Sequence, residues 1–326
     1  MIASSSNPGK QAVVTGGAGF LGSHLCERLL TLGFKVICAD NLITGSVANV
    51  SHLMASAAFT VINCDITEHF SIDGPVDCIF HLASPASPAD YLRLPIQTLR
   101  AGSIGTINAL ELARKKEARF ILASSSEVYG DPLRHPQAES YWGNVNPVGV
   151  RSPYDEAKRF AEATVVAYAK TYGVRGTIAR IFNSYGPRMR ADDGRAIPTF
   201  ICRALSGEPL TVTGNGKQTR SICYVDDTVS GMLALALSSS PGPINIGSDY
   251  ELTVLQIATM IRDLAGSASP IRFCPRPADD PSLRRPDTTR AQVVLDWQAT
   301  VNPAEGLRRT IAWFVSRDLT AGSLGS

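Results

Sequence analysis

In the first half of the chain, short runs of almost unbroken apolar residues alternate with longer stretches in which apolar positions recur every three or four residues. Gln11 to Thr15, Lys35 to Asp40, Phe59 to Cys64, Cys78 to Ala83 and Phe120 to Ser124 predict strands buried on both faces. Ser23 to Leu32 and Thr98 to Lys115 predict amphipathic helices between them. A further helix, Pro153 to Tyr172, leads into a strand from Gly176 to Phe182. This alternation predicts an α/β fold, a doubly wound parallel sheet covered by helices on both faces.

After about Pro187 prolines become frequent (Pro270, Pro275, Pro277, Pro281, Pro286) and strands few and short. Val225 to Leu237 followed by Pro243 to Ile246 predicts one more helix–strand unit returning to the sheet. The expected organisation is therefore a sheet domain over 1–186, rejoined by 225–247. A smaller, interleaved C-terminal substrate domain takes most of 187–326.

Composition narrows the partners. Of 326 residues, 44% are apolar and 18% charged, and the net charge is +2. That excludes a disordered chain and gives no reason to expect nucleic acid or an anionic membrane as partner. No run approaches the ~18 apolar residues of a membrane span, and MIASSSNPGK lacks the apolar segment of a signal peptide. A cytoplasmic protein is expected. Cys26, Cys38, Cys64, Cys78, Cys202, Cys223 and Cys274 have no metal-ligand spacing and read as reduced thiols, with no metal site. Residues before about Lys10 and after about Arg317 are small or polar and read as loose ends.

Candidate chemistry begins at VVTGGAGFLGSH, which closes the first strand and opens a helix. Gly17, Gly19 and Gly22 satisfy G-x-G-x-x-G, and Gly16, Gly19 and Gly22 the related G-x-x-G-x-x-G. Glycines there permit a tight turn and close approach of a pyrophosphate, and the helix start offers it unpaired N–H groups. Asp40 closes the second strand, where a carboxylate accepts both ribose hydroxyls and repels a 2′-phosphate; NAD is the expected cofactor and the sheet is Rossmann-type. Asp65, ending the third strand, is open to two readings, a contact to the adenine amine or a helix N-cap.

Tyr154 and Lys158 stand at i and i+4 on one predicted helix and share a face. A lysine ammonium beside a phenol stabilises the phenolate and makes a base of it. Alone, such a pair is common on surface helices. Ser125, at the end of the fifth strand in LASSSEVYG, stands where it could hold a substrate hydroxyl that Tyr154 deprotonates. Glu127 follows directly, as either a capping carboxylate or a member of the site.

Together these residues resemble the extended short-chain dehydrogenase/reductase family over almost the whole chain. More narrowly, HLASPASPADY, LASSSEVYGDPLRHPQAESYWGNVNPVGVRSPYDEAKRFAE, RIFNSYGPRM and DDPSLRRPD resemble the UDP-glucuronate decarboxylase branch. That resemblance implies oxidation of a UDP-sugar at C4, loss of CO2 from the 4-keto sugar, and re-reduction at C4. It implies Tyr154 as base, Lys158 as its partner and Ser125 in place of the usual threonine. It links Glu127 and Arg284 to the decarboxylation step, with adjacent Arg285 an alternative. It implies cofactor contacts at Gly16, Gly19, Phe20, Leu21, Gly22, Asp40, Asn41, Asp65, Ile66, Leu82, Ala83, Tyr154 and Lys158. Substrate contacts are implied at Tyr91, Glu127, Asn183, Arg220, Tyr224 and Arg284.

By the same resemblance, helices Thr98 to Lys115 and Pro153 to Tyr172 form a homodimer's four-helix bundle. A 4,6-dehydratase needs an acid where this chain has Ser126. The alternatives kept are a UDP-sugar 4-epimerase and an NAD-binding protein without catalysis.

Overall fold

In the computed structural model, which describes residues 9–277 and 279–322, every predicted strand of the first half is present within a residue or two. The central sheet comprises β1 (Gln11–Thr15), β2 (Lys35–Asp40), β3 (Phe59–Asn63), β4 (Cys78–His81), β5 (Arg119–Ser125), β6 (Gly176–Ile181) and the edge strand Ile244–Ile246. Across the sheet the order is β3, β2, β1, β4, β5, β6, Ile244–Ile246, every pairing parallel. The order reverses between β1 and β4, and such a switch point opens a crevice at the carboxyl ends of the strands.

The period-two alternation of a strand explains why these segments are apolar throughout. Ala12 and Val14 of β1 enter one core, with the helix Phe20–Thr31, while Val13 enters the other, with the helices Thr106–Lys116 and Ser152–Tyr172. β5 divides likewise, Ile121 and Ala123 to the first core, Phe120 and Leu122 to the second. Each such Val, Ile or Leu contributes about 1.5–3 kcal/mol by leaving water. Helix–strand unit Val225–Leu237 and Ile244–Ile246 does return to the sheet, beside β6.

The helix predicted from Thr98 to Lys115 is observed as Pro95–Arg100, a π-helical turn Ala101–Gly105, and Thr106–Lys116. The widened turn lies where a Cβ on Gly102 would stand 2.5 Å from the Ala157 Cβ, so the two helices meet almost backbone to backbone. The later half adds small two-stranded sheets, among them Leu210–Thr213 with Ile271–Cys274 and Thr219–Ser221 with Glu251–Thr253. The backbone of the helix Pro303–Gly322 runs past Arg317, which corrects the expectation of a loose end from that point. The loose end expected before Lys10 lies almost wholly outside the described residues. Among those described, no helix is long and apolar enough to cross a membrane, and no side-chain cluster is suited to a metal.

Candidate active site

A cleft of about 920 Å3 opens at the carboxyl ends of the strands. One end is the glycine turn. Gly16 has φ +71°, and a Cβ there would meet the Ala83 nitrogen at 2.7 Å; a Cβ on Gly22 would meet the Gly16 carbonyl at 2.1 Å. Backbone therefore lies on backbone, and no other residue fits. The helix Phe20–Thr31 starts at Gly19 with no side-chain cap and no acidic residue in its first turn, leaving Phe20 and Leu21 to present N–H groups and positive dipole to the cleft. This cradle fits a pyrophosphate.

Asp40 is buried, and its two oxygens accept the backbone N–H groups of Ala18 at 3.0 Å and Leu42 at 2.8 Å. Burial raises its carboxyl above the ordinary value, the two N–H groups opposing. The carboxylate thus braces the glycine turn while still lining the cleft. Asp65 accepts the Thr67 N–H and the Asn41 amide, a local turn that leaves Asn41, Asp65 and Ile66 along the same wall. Leu82 and Ala83, just past β4, close the other side.

Beyond the cradle lie Ser125, Tyr154 and Lys158. The Tyr154 ring is stacked on Tyr91, centroids 5.3 Å apart and planes 13° apart. Burial pushes the Tyr154 phenol up to about 12, with the Ser125 hydroxyl acting to lower it. Lys158 donates to the Ala123 carbonyl at 2.9 Å, with its Nζ 5.6 Å from the Tyr154 ring centre. Burial brings the Lys158 ammonium down to about 8. Without a further positive charge beside it, Tyr154 keeps its proton.

Glu127 is the second residue of the short turn Ser126–Tyr129 after β5 and is gripped from two sides. One carboxylate oxygen accepts from Arg284, the other from Arg151 at 2.6 Å. Burial pushes the carboxyl up, but the two guanidiniums outweigh it and hold it at about 2. Arg284, 2% exposed, also donates to the Gly130 carbonyl at 3.0 Å. Of the two adjacent arginines Arg284 lines the cleft, whereas Arg285 does not and lies 3.8 Å from Glu251. Arg220 lines the cleft and is paired with Asp280 at 2.7 Å. The Asn183 Oδ1 and Tyr91 Oη are buried at the cleft with no hydrogen-bond partner, as expected of groups awaiting a polar ligand.

Tyr224 is a correction. It precedes the helix Val225–Leu237, buried with its ring edge-on to Tyr185 and the Arg309 guanidinium over it, and it does not reach the cleft. Arg151, Arg190 and Arg195 line the cleft unannounced by the sequence reading. Arg151 lies in the quoted RSPYDEAK stretch, three residues before Tyr154, and its position there was the available signal.

A dinucleotide cradle joined to a Ser–Tyr–Lys cluster belongs to enzymes that oxidise alcohols with NAD. Residues 12–247 match the NAD dependent epimerase/dehydratase family, and the chain belongs to it, with NAD as cofactor. The chain is similar to UDP-glucuronic acid decarboxylase 1 of Danio rerio, 49% identical over 95% of this chain and 73% of that one. It is similar also to UDP-glucuronic acid decarboxylase 3 of Arabidopsis thaliana, 48% identical over 92% of this chain and 87% of that one. A solved UDP-glucuronic acid 4-epimerase from Bacillus cereus, in complex with UDP-glucuronic acid and NAD, has a TM-score of 0.82 at 27% identity, covering 94% of this chain and 99% of that one.

Proposed function

We propose that this enzyme decarboxylates UDP-glucuronate to UDP-xylose through a 4-keto sugar, with catalytic Ser125, Glu127, Tyr154, Lys158 and Arg284. The carrying observation is the Arg284–Glu127–Arg151 cluster beside Tyr154. C4 oxidation alone needs no such group, whereas a substrate carboxylate and a developing enolate call for guanidinium. The identity near one half to decarboxylases points the same way. It also disfavours the epimerase alternative, since the epimerase neighbours named in solved structures stay below 30%.

The chemistry NAD supplies when bound is to accept hydride from C4 and return it. Tyr154 takes the C4 hydroxyl proton, with Ser125 holding that oxygen and Lys158 favouring the phenolate, to which the positive charge of a bound oxidised nicotinamide would add. Arg284 stabilises the carboxylate as it leaves and the enolate that remains. Asn183 and Arg220 hold the sugar nucleotide, and Tyr91 walls the sugar. We assign 1–186, with 225–247, to NAD binding and most of 187–326 to the sugar nucleotide. A homodimer is supported by apolar residues left exposed on the two predicted dimer helices and just before them, among them Ile96, Leu99, Phe160 and Val166. A cytoplasmic site is supported by seven cysteines that form no disulfide.

The test is incubation with UDP-glucuronate followed by mass analysis of the nucleotide sugar. Loss of one CO2 with little net NADH is expected; a product of unchanged mass would mean epimerisation instead.

A further inference from the structure

Beside the Glu127 cluster lies a second cavity of about 460 Å3, which adjoins the main cleft through side chains that line both, Glu127 and Arg151 among them. Into it faces Asp155, the residue after Tyr154. Asp155 is 5% exposed, and its Oδ1 is buried with no hydrogen-bond partner. An ionised carboxylate left so would pay several kcal/mol in lost solvation, whereas a protonated one pays far less.

Decarboxylation makes a demand that the residues already assigned do not meet. When the C5–C6 bond breaks, its electron pair stays on the sugar as a C4–C5 enolate and CO2 departs; C5 must then gain a proton. Tyr154 holds the proton taken from the C4 hydroxyl and must give it back there. Glu127 is ionised between two arginines. A guanidinium does not give up a proton in a protein. Resting on the proposed decarboxylation, we propose that Asp155 is the positioning residue that stores the C5 proton and releases it, through water in the second cavity, past Glu127 to the enolate. The Asp155 carboxylate then regains a proton from solvent through the same cavity.

The electrostatics agree. Burial, then the nearby Glu127 charge, raises Asp155 to about 7, against the opposing pull of Arg151 and Arg284. Glu156 on its own helix adds to the rise. Asp131, Arg276, Asp279 and Asp280 complete the charged lining from other segments. A cavity of this size with this lining is polar and roomy enough for water.

The holoenzyme should be mixed with UDP-glucuronate in a single turnover, with CO2 and UDP-xylose quantified separately by rapid quench. In Asp155→Asn, CO2 release should keep close to its normal rate while UDP-xylose appears about 100-fold later, the low end of what a positioned proton donor contributes. In the wild type the lag between the two products should lengthen as pH rises through about 7, and in Asp155→Asn it should not. Asp155→Glu should restore part of the rate, and the wild-type pH profile serves even if the asparagine variant fails to fold. An asparagine variant with a wild-type lag, or a wild-type lag indifferent to pH, overturns the proton store alone. A wild-type enzyme that releases no CO2 sinks the decarboxylase reading and this one together.

Discussion

Glu127→Gln tests the cluster on which the functional reading depends. The native carboxyl stands at about 2 against an ordinary 4.5, and its side chain is only 15% exposed, so screening is modest. At about 1.4 kcal/mol per unit, the double ion pair is linked to about 3 kcal/mol of stability. The sign follows from the folded value lying below the unfolded one. The contribution is fully present above about 4.5 and is lost as pH falls toward 2. By pH 3, about 2 kcal/mol of it should be gone. Glutamine cannot replace the pair: its one oxygen serves one arginine, while its N–H groups face the other, donor against donor. That second cost does not titrate. Denaturant unfolding of both proteins between about pH 7 and pH 3 should show the variant less stable by at least about 3 kcal/mol at neutrality, with the gap narrowing by about 2 kcal/mol at the acid end. A gap constant across that range would refute the reasoning, because Glu127 would then not be made more acidic by folding.

Tyr154→Phe should abolish turnover, seen by mass analysis of the sugar nucleotide, while NAD affinity by calorimetry stays within a few-fold of normal; near-normal turnover would remove the proposed base. Gly22→Ala should weaken NAD binding about tenfold or more and cost about 1–3 kcal/mol of stability, because the new Cβ would fall 2.1 Å from the Gly16 carbonyl oxygen and 2.8 Å from the Gly17 Cα, both backbone atoms. Unchanged NAD affinity in that variant would show that the turn does not hold the pyrophosphate.

What could be read from the sequence was what lies close together along it. Strands buried on two faces announce themselves as apolar runs, and the glycine turn carries its geometry in consecutive residues. Apart from Ile244–Ile246, which its preceding helix marked, the strands of two to four residues after β6 carry too little pattern to stand out. The choice between Arg284 and Arg285 could not be made from neighbouring letters. It depends on how the segment is pinned, by the bonds Ser221 N–H to the Arg284 carbonyl and Gln137 N–H to the Arg285 carbonyl, so that the two successive side chains leave it in different directions. Arg151 and Asp155 stood in plain view within RSPYDEAK. What sets them apart is tertiary: one is turned onto Glu127 and the other lines the second cavity, and their closeness to Tyr154 in the chain was the one local signal. Tyr224 failed as a contact for the same reason, since tertiary packing on Tyr185 and Arg309 decides where its ring goes.

The two halves of the cluster are also separated in time. Arg284 lies 157 positions after Glu127, so at roughly 5–20 residues per second it leaves the ribosome about 8–30 s later. The glycine turn, Asp40, Tyr154 and Lys158 have all been synthesised before then. Of the two guanidiniums that grip the Glu127 carboxylate, Arg151 is made with the cradle, and only Arg284 comes this late. On the roles proposed above, synthesis delivers the residues of the dinucleotide cradle first and the Arg284 side of the carboxylate cluster last.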